Sequence, residues 1–103
     1  MTSGGGVLTV SAVTAQQVQG SVSLSYVLSA PATVEAAILN IAGRTIAQVN
    51  SSDVQGTGLQ SLRWNGRNAV GSKVPAGTYL IQVTARAEAG DSPTSLCSVQ
   101  LQR

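Results

Sequence analysis

The chain has 103 residues, a size that suits one domain. Of these, 43% are hydrophobic and only 10% charged, and Leu, Ile and Val number 26, too many for a disordered chain. With a net charge of +2, no His and one Cys, the sequence excludes a histidine-dependent triad, a Cys/His zinc site, an internal disulfide and a basic stripe for nucleic acid.

Val, Ile and Thr together also number 26, and β-branched side chains suit pleated, half-buried surfaces. Two Glu and one Lys leave little material for surface helices. No apolar run approaches the ~20 residues that span a bilayer, so no membrane insertion is expected. Residues 1–6, with Gly4 to Gly6, read as a flexible tether or a cloning scar, and residues 7–103 as the folded domain.

Val7 to Thr14 reads as a first strand and Ala15 to Gly20 as a polar connection. Val22, Leu24, Tyr26 and Leu28 then alternate with serines, the period of a strand with one face buried. Pro31 breaks that pattern, and Val34 to Ile41 resumes it. Ala42-Gly43 turns the chain into a short strand from Arg44 to Val49. Asn50 to Gly58 is a loop, and Leu59 to Trp64 a strand with Leu62 and Trp64 inward. Asn65 to Gly77 is the longest irregular stretch. Thr78 to Ala87 is a strand with Tyr79, Ile81, Val83 and Ala85 on one face. Ala89-Gly90-Asp91 suits a hairpin, and Ser95 to Leu101 closes the chain with Cys97, Val99 and Leu101 inward. About seven short strands at this spacing predict an all-β, antiparallel β-sandwich, with a small barrel as runner-up.

Two stretches are more specific: ATVEAAILNIAGR from Ala32 to Arg44, and LRWNGRNAVGSKVPAGTYLIQV from Leu62 to Val83. Together they resemble the FlgD Ig-like family, the immunoglobulin-like domain at the C-terminus of flagellar hook-capping proteins, and related C-terminal modules of bacterial secreted and surface proteins. The matching positions are Gly43 and Arg44, the box Trp64, Gly66 and Arg67, then Gly71, and the box Val74, Pro75, Gly77 and Tyr79. Asn65 stands where Asp is usual, and Leu39 and Asn40 where an aromatic and an acid are frequent. The resemblance implies an immunoglobulin or fibronectin-III-like sandwich, no enzymatic activity and no cofactor. It implies an extracellular or cell-surface placement within a larger bacterial protein.

Each box residue has a role that needs no ligand. Trp64 offers the largest apolar surface and is expected to plug the core, while Asn65 can accept a loop N–H. Gly66 permits a positive φ, Pro75 fixes φ before the next strand, Gly77 lets the chain pass close to Trp64, and Tyr79 can direct its hydroxyl to the backbone. Cys97 reads as a small buried hydrophobe with no base to activate it. Arg63, Arg67 and Lys73 lie near one hairpin end and could meet an acidic partner, but read first as scattered solvent-facing charges. The four acids lie on separate segments, giving neither a calcium loop nor a glycosidase pair. The partners expected are proteins: another protein, domains of the same parent chain, or further copies. A secretion-sorting signal and a carbohydrate-binding accessory domain are the alternatives, and the second requires an exposed Trp64 or Tyr.

Overall fold

The computed structural model describes residues 8–88, 90 and 92–102. The tether at residues 1–6, Val7 of the first expected strand, and Ala89 and Asp91 of the expected hairpin lie outside them. Seven strands form in chain order: β1 (Val10–Val18), β2 (Ser21–Leu28), β3 (Thr33–Leu39), β4 (Thr45–Asn50), β5 (Gly58–Trp64), β6 (Gly77–Arg86) and β7 (Thr94–Leu101). Every pairing is antiparallel. The strands make a three-stranded sheet, β1-β2-β5, and a four-stranded sheet, β4-β3-β6-β7. This is an all-β, immunoglobulin-like sandwich.

The period-2 pattern dictates what lies between the sheets. Val22, Leu24, Tyr26 and Leu28 of β2 face Val34, Ala36 and Ile38 of β3 and Ile81, Val83 and Ala85 of β6 across the interior, all essentially buried. Serines on the opposite face of β2 are half-buried. No charged, amide or Ser/Thr side chain among the described residues is fully buried, and the polar tips of the buried Tyr26 and Trp64 both find hydrogen-bond partners, so the interior leaves no polar side-chain atom unpaired.

Two departures from simple alternation hid β1. The expected polar connection from Ala15 to Gly20 is mostly strand: β1 runs to Val18, and only Gln19 and Gly20 turn. Both have positive φ, 52° and 84°, which matches a type I′ hairpin. The Gln-rich segment reads as polar because its outer face is solvated, while Ala15 packs on the core. Upstream, a bulge between Ser11 and Thr14, with Ala12 at φ 52°, shifts the phase of the strand. A second bulge opposite Ile38 and Leu39 lets Ile46 and Ala47, adjacent in sequence, both pack inward on β4.

The two long sides of the sandwich differ. Along the β1/β7 side the sheets meet, and the Gln17 side chain bonds both backbone groups of Gln102: its Nε2 donates to the carbonyl and its Oε1 accepts from the N–H, each at 2.7 Å. Along the β4/β5 side the edges stand apart and leave a groove.

Tyr26 sits wholly inside, with its hydroxyl donating to Gln55 Oε1 at 2.5 Å. Burial raises its pKa above the ordinary phenol value, and the Gln55 bond offsets part of that. A raised folded-state value means that stability is fully present below the unfolded pKa and is lost as pH climbs through the folded one. Urea unfolding followed from about pH 8 to about pH 11 should therefore show a decline above ~10 in the natural chain that Tyr26→Phe reduces.

Candidate functional site

The register gathers the box residues at one end of the sandwich, where β3 hands over to β4 and β5 to β6. Two loops there are built alike. In residues 40–44, Asn40 donates its N–H to the Arg44 carbonyl at 2.9 Å and accepts the Gly43 N–H on its own carbonyl at 2.9 Å. Its Oδ1 accepts the N–H groups of Ala42 and Arg44, each at 3.0 Å. In residues 68–72, Asn68 repeats the scheme with Ser72 and Gly71 on the backbone, and with Val70 and Ser72 on its Oδ1. The closing glycines, Gly43 and Gly71, take φ of 85° and 89°, the left-handed conformation that this turn requires. Asn40 entered the sequence reading only as a departure from a family pattern, and Asn68 not at all. The repeated spacing Asn-x-x-Gly was the available signal.

An asparagine that satisfies two loop N–H groups acts as a helix cap does, and such bonds carry about 1 kcal/mol net. Asn68→Ala should lower the melting temperature by roughly 4–8 °C, read by calorimetry, since ~1 kcal/mol moves a 100-residue domain that far.

The rest of the 65–76 connection is tied to the core. Trp64 is 1% exposed and donates Nε1–H to the Arg67 carbonyl at 2.8 Å. Asn65 Oδ1 accepts the Arg67 N–H at 3.0 Å. Gly66, at φ 76°, offers its carbonyl to the Val74 N–H. Arg67 Nη1 donates to the Gly71 carbonyl at 2.8 Å. The Tyr79 ring packs edge-on to Trp64 with centroids 6.0 Å apart, and its hydroxyl donates to the Pro75 carbonyl at 2.6 Å. The reading of Gly77 needs correction: a Cβ there would meet no atom within 4 Å, so no close pass by Trp64 requires glycine. Its φ of 152° is the constraint instead.

Ala69 N–H bonds the Ile46 carbonyl at 3.1 Å, docking this connection on β4. An apolar cleft of about 390 Å³ results, lined chiefly by Ile46, Val70, Val74, Pro75 and Tyr79, with Lys73 at its side. Beside it runs the β4/β5 groove, about 550 Å³, carrying Arg63 and Arg67. Neither lining holds a carboxylate. The basic residues are thus not scattered: Arg44, Arg63, Arg67 and Lys73 share this end. Tyr26 and Tyr79 are buried like Trp64, with 7% of Tyr79 exposed at the cleft, so no aromatic platform faces solvent. Cys97, on β7, is half-buried against the core, and burial pushes its thiol pKa up, away from the reactive thiolate. Among the described residues no helix is long and apolar enough to cross a membrane.

An immunoglobulin-like module whose long β5–β6 connection is clamped by a Trp–Tyr pair is the class that the fold and this end define. The FlgD Ig-like domain matches residues 9–89, and the chain belongs to that family. Among solved structures it is similar to FlgD from P. aeruginosa, at 20% identity and a TM-score of 0.69 over 92% of this chain and 71% of that one. It is also similar to FlgD from Xanthomonas campestris, at 26% identity and a TM-score of 0.65 over 92% of this chain, but spans only 64% of that protein's chain. The latter structure is described as giving insights into hook capping essential for flagellar assembly. No curated protein matches the sequence.

Proposed function

We propose that this chain is a non-catalytic module that works by protein contact in a hook-cap-like assembly outside the cell. The family match over residues 9–89 carries the reading, and the hook-capping description of a neighbour gives it direction. The chemistry of the looped end agrees with it. Its asparagines are spent on backbone turns, and its clefts are lined by aliphatic, aromatic, neutral polar and cationic side chains without a carboxylate to complete an acid–base pair. In this reading Gly43, Arg44, Trp64, Asn65, Gly66, Arg67, Gly71, Pro75, Gly77 and Tyr79 are the frame that holds the end in shape, not a ligand site. The carbohydrate alternative loses its support, because all three aromatic rings are buried.

In-frame deletion of residues 8–102 from the gene, with the remaining protein still detectable by immunoblot, should leave cells with arrested hooks and no swimming motility. Hooks of normal length on motile cells would overturn the reading.

A further inference from the structure

Hairpin register sorts the charges along the 50 Å long axis. Leu39, Thr45, Trp64 and Gly77 mark the looped end; Leu28, Asn50, Gly58 and Arg86 mark the opposite one. Arg44, Arg63, Arg67 and Lys73 all lie at or next to the looped end, with no acid among the described residues there. Glu35, Asp53 and Glu88 lie toward the other end, where Arg86 is the one cation among the described residues and stands 3.6 Å from Glu35. The charges of the described residues form a dipole.

Apolar shape follows the same division. At the looped end Ile41 and Val70, the first residue after Asn40 in one turn and the second after Asn68 in the other, project into solvent at 79% and 85% exposure. At the other end a hollow of about 440 Å³ is lined by Pro31, Ala32, Thr33, Ala87 and the 64%-exposed Val54, with Glu88 and the Glu35-paired Arg86 in its wall. One end carries aliphatic projections among cations; the other carries an aliphatic recess beside acids.

We propose that the chain associates end to end with a second copy of itself, Ile41 and Val70 seating in the recess of the next copy and Arg44 and Lys73 facing its Asp53 and Glu88. The two surfaces differ, so the contact is heterologous and leaves a free end on each side, which favours short rows over a closed pair. An end face of 23 by 21 Å covers at most about 500 Å² per copy, about 1,000 Å² in total, below the ~1,200 Å² at which stable interfaces begin. The association is therefore weak, concentration-dependent and steered by exposed charges that salt screens. It stands apart from the hook-cap reading, and its failure would leave that reading intact.

Sedimentation velocity on the purified chain tests it. At about 0.01 M ionic strength, where the Debye length is ~30 Å, the weight-average mass should rise with concentration, and near 1 M, where it is ~3 Å, fall most of the way to the monomer. Arg44→Glu with Lys73→Glu should abolish the rise, and so should Asp53→Lys with Glu88→Lys. Mixing these two variants should restore it, because the reversed ends then face each other. Ile41→Ser with Val70→Ser should abolish it with the charges unchanged. All six positions are exposed, and circular dichroism verifies each fold. A natural chain that stays monomeric at low salt overturns the proposal. So does association that survives both charge variants, or a mixture that stays monomeric.

Discussion

Trp64→Ala should be the most damaging single change in this chain. Truncating a buried tryptophan typically costs about 3–5 kcal/mol, against a total stability of roughly 5–15 kcal/mol for a domain of this kind. Trp64 carries more than its area. Its ring is the edge partner of Tyr79, an arrangement that adds ~0.5–1.5 kcal/mol beyond burial. Its Nε1–H satisfies the Arg67 carbonyl inside the turn that Asn65 begins. Deleting the indole therefore opens a cavity and unties the 65–76 connection together. Trp64→Phe separates the two effects, because it keeps most of the apolar volume and loses the hydrogen bond. The expected order in equilibrium urea unfolding, followed by far-ultraviolet circular dichroism, is natural chain, then Trp64→Phe, then Trp64→Ala, the last partly unfolded without denaturant. Equal stability of Trp64→Ala and the natural chain would show that the indole does not anchor this end. In the natural chain the single tryptophan should emit blue-shifted light and resist quenchers until the unfolding transition.

The sandwich was legible because each buried strand repeats one apolar face without interruption. β2 and β6 alternate cleanly, and both strands were found within a residue of their ends. β1 was half missed because two local devices break its period: the bulge at Ala12, and a turn made from Gln19-Gly20 rather than the usual Asn-Gly or Asp-Gly. The burial of Trp64 and Tyr79 was legible, since large aromatics in a chain with no Phe must carry much of the core. The gathering of charge was legible only in part: Arg63, Arg67 and Lys73 flank one connection in the sequence, but nothing local adds Arg44 to them. Arg44 and Lys73 lie 29 positions apart in sequence, and only the register of β3, β4 and β6 brings their loops to one end. The Gln17–Gln102 clasp spans 85 residues and leaves no local trace. Periodicity reports which face of a strand is inside; it carries no information on which strand ends coincide.

That distinction between face and position predicts the second large effect. Ile81 lies at the middle of the four-stranded sheet, opposite Ile38 on β3 and Cys97 on β7, with no surface exposed. Leu96, one residue before Cys97, is on the other face of the same sheet and 60% exposed. The two side chains are alike in size and apolar character, and a composition argument would treat them alike. Burial separates them. Ile81→Ala removes methyl groups from a site walled by two sheets that cannot collapse independently, so it should cost about 2–5 kcal/mol. Leu96→Ala leaves a surface that water already reaches and should stay within about 0.5 kcal/mol of the natural chain. Urea midpoints at constant slope, read by Trp64 fluorescence, compare the two directly. The signal reports from the looped end, so a shared transition for Trp64 and the backbone would also show that both sheets unfold as one unit. Comparable losses at positions 81 and 96 would mean that the outward face of β7 is covered in solution, a result the exposed side chain does not allow for an isolated copy.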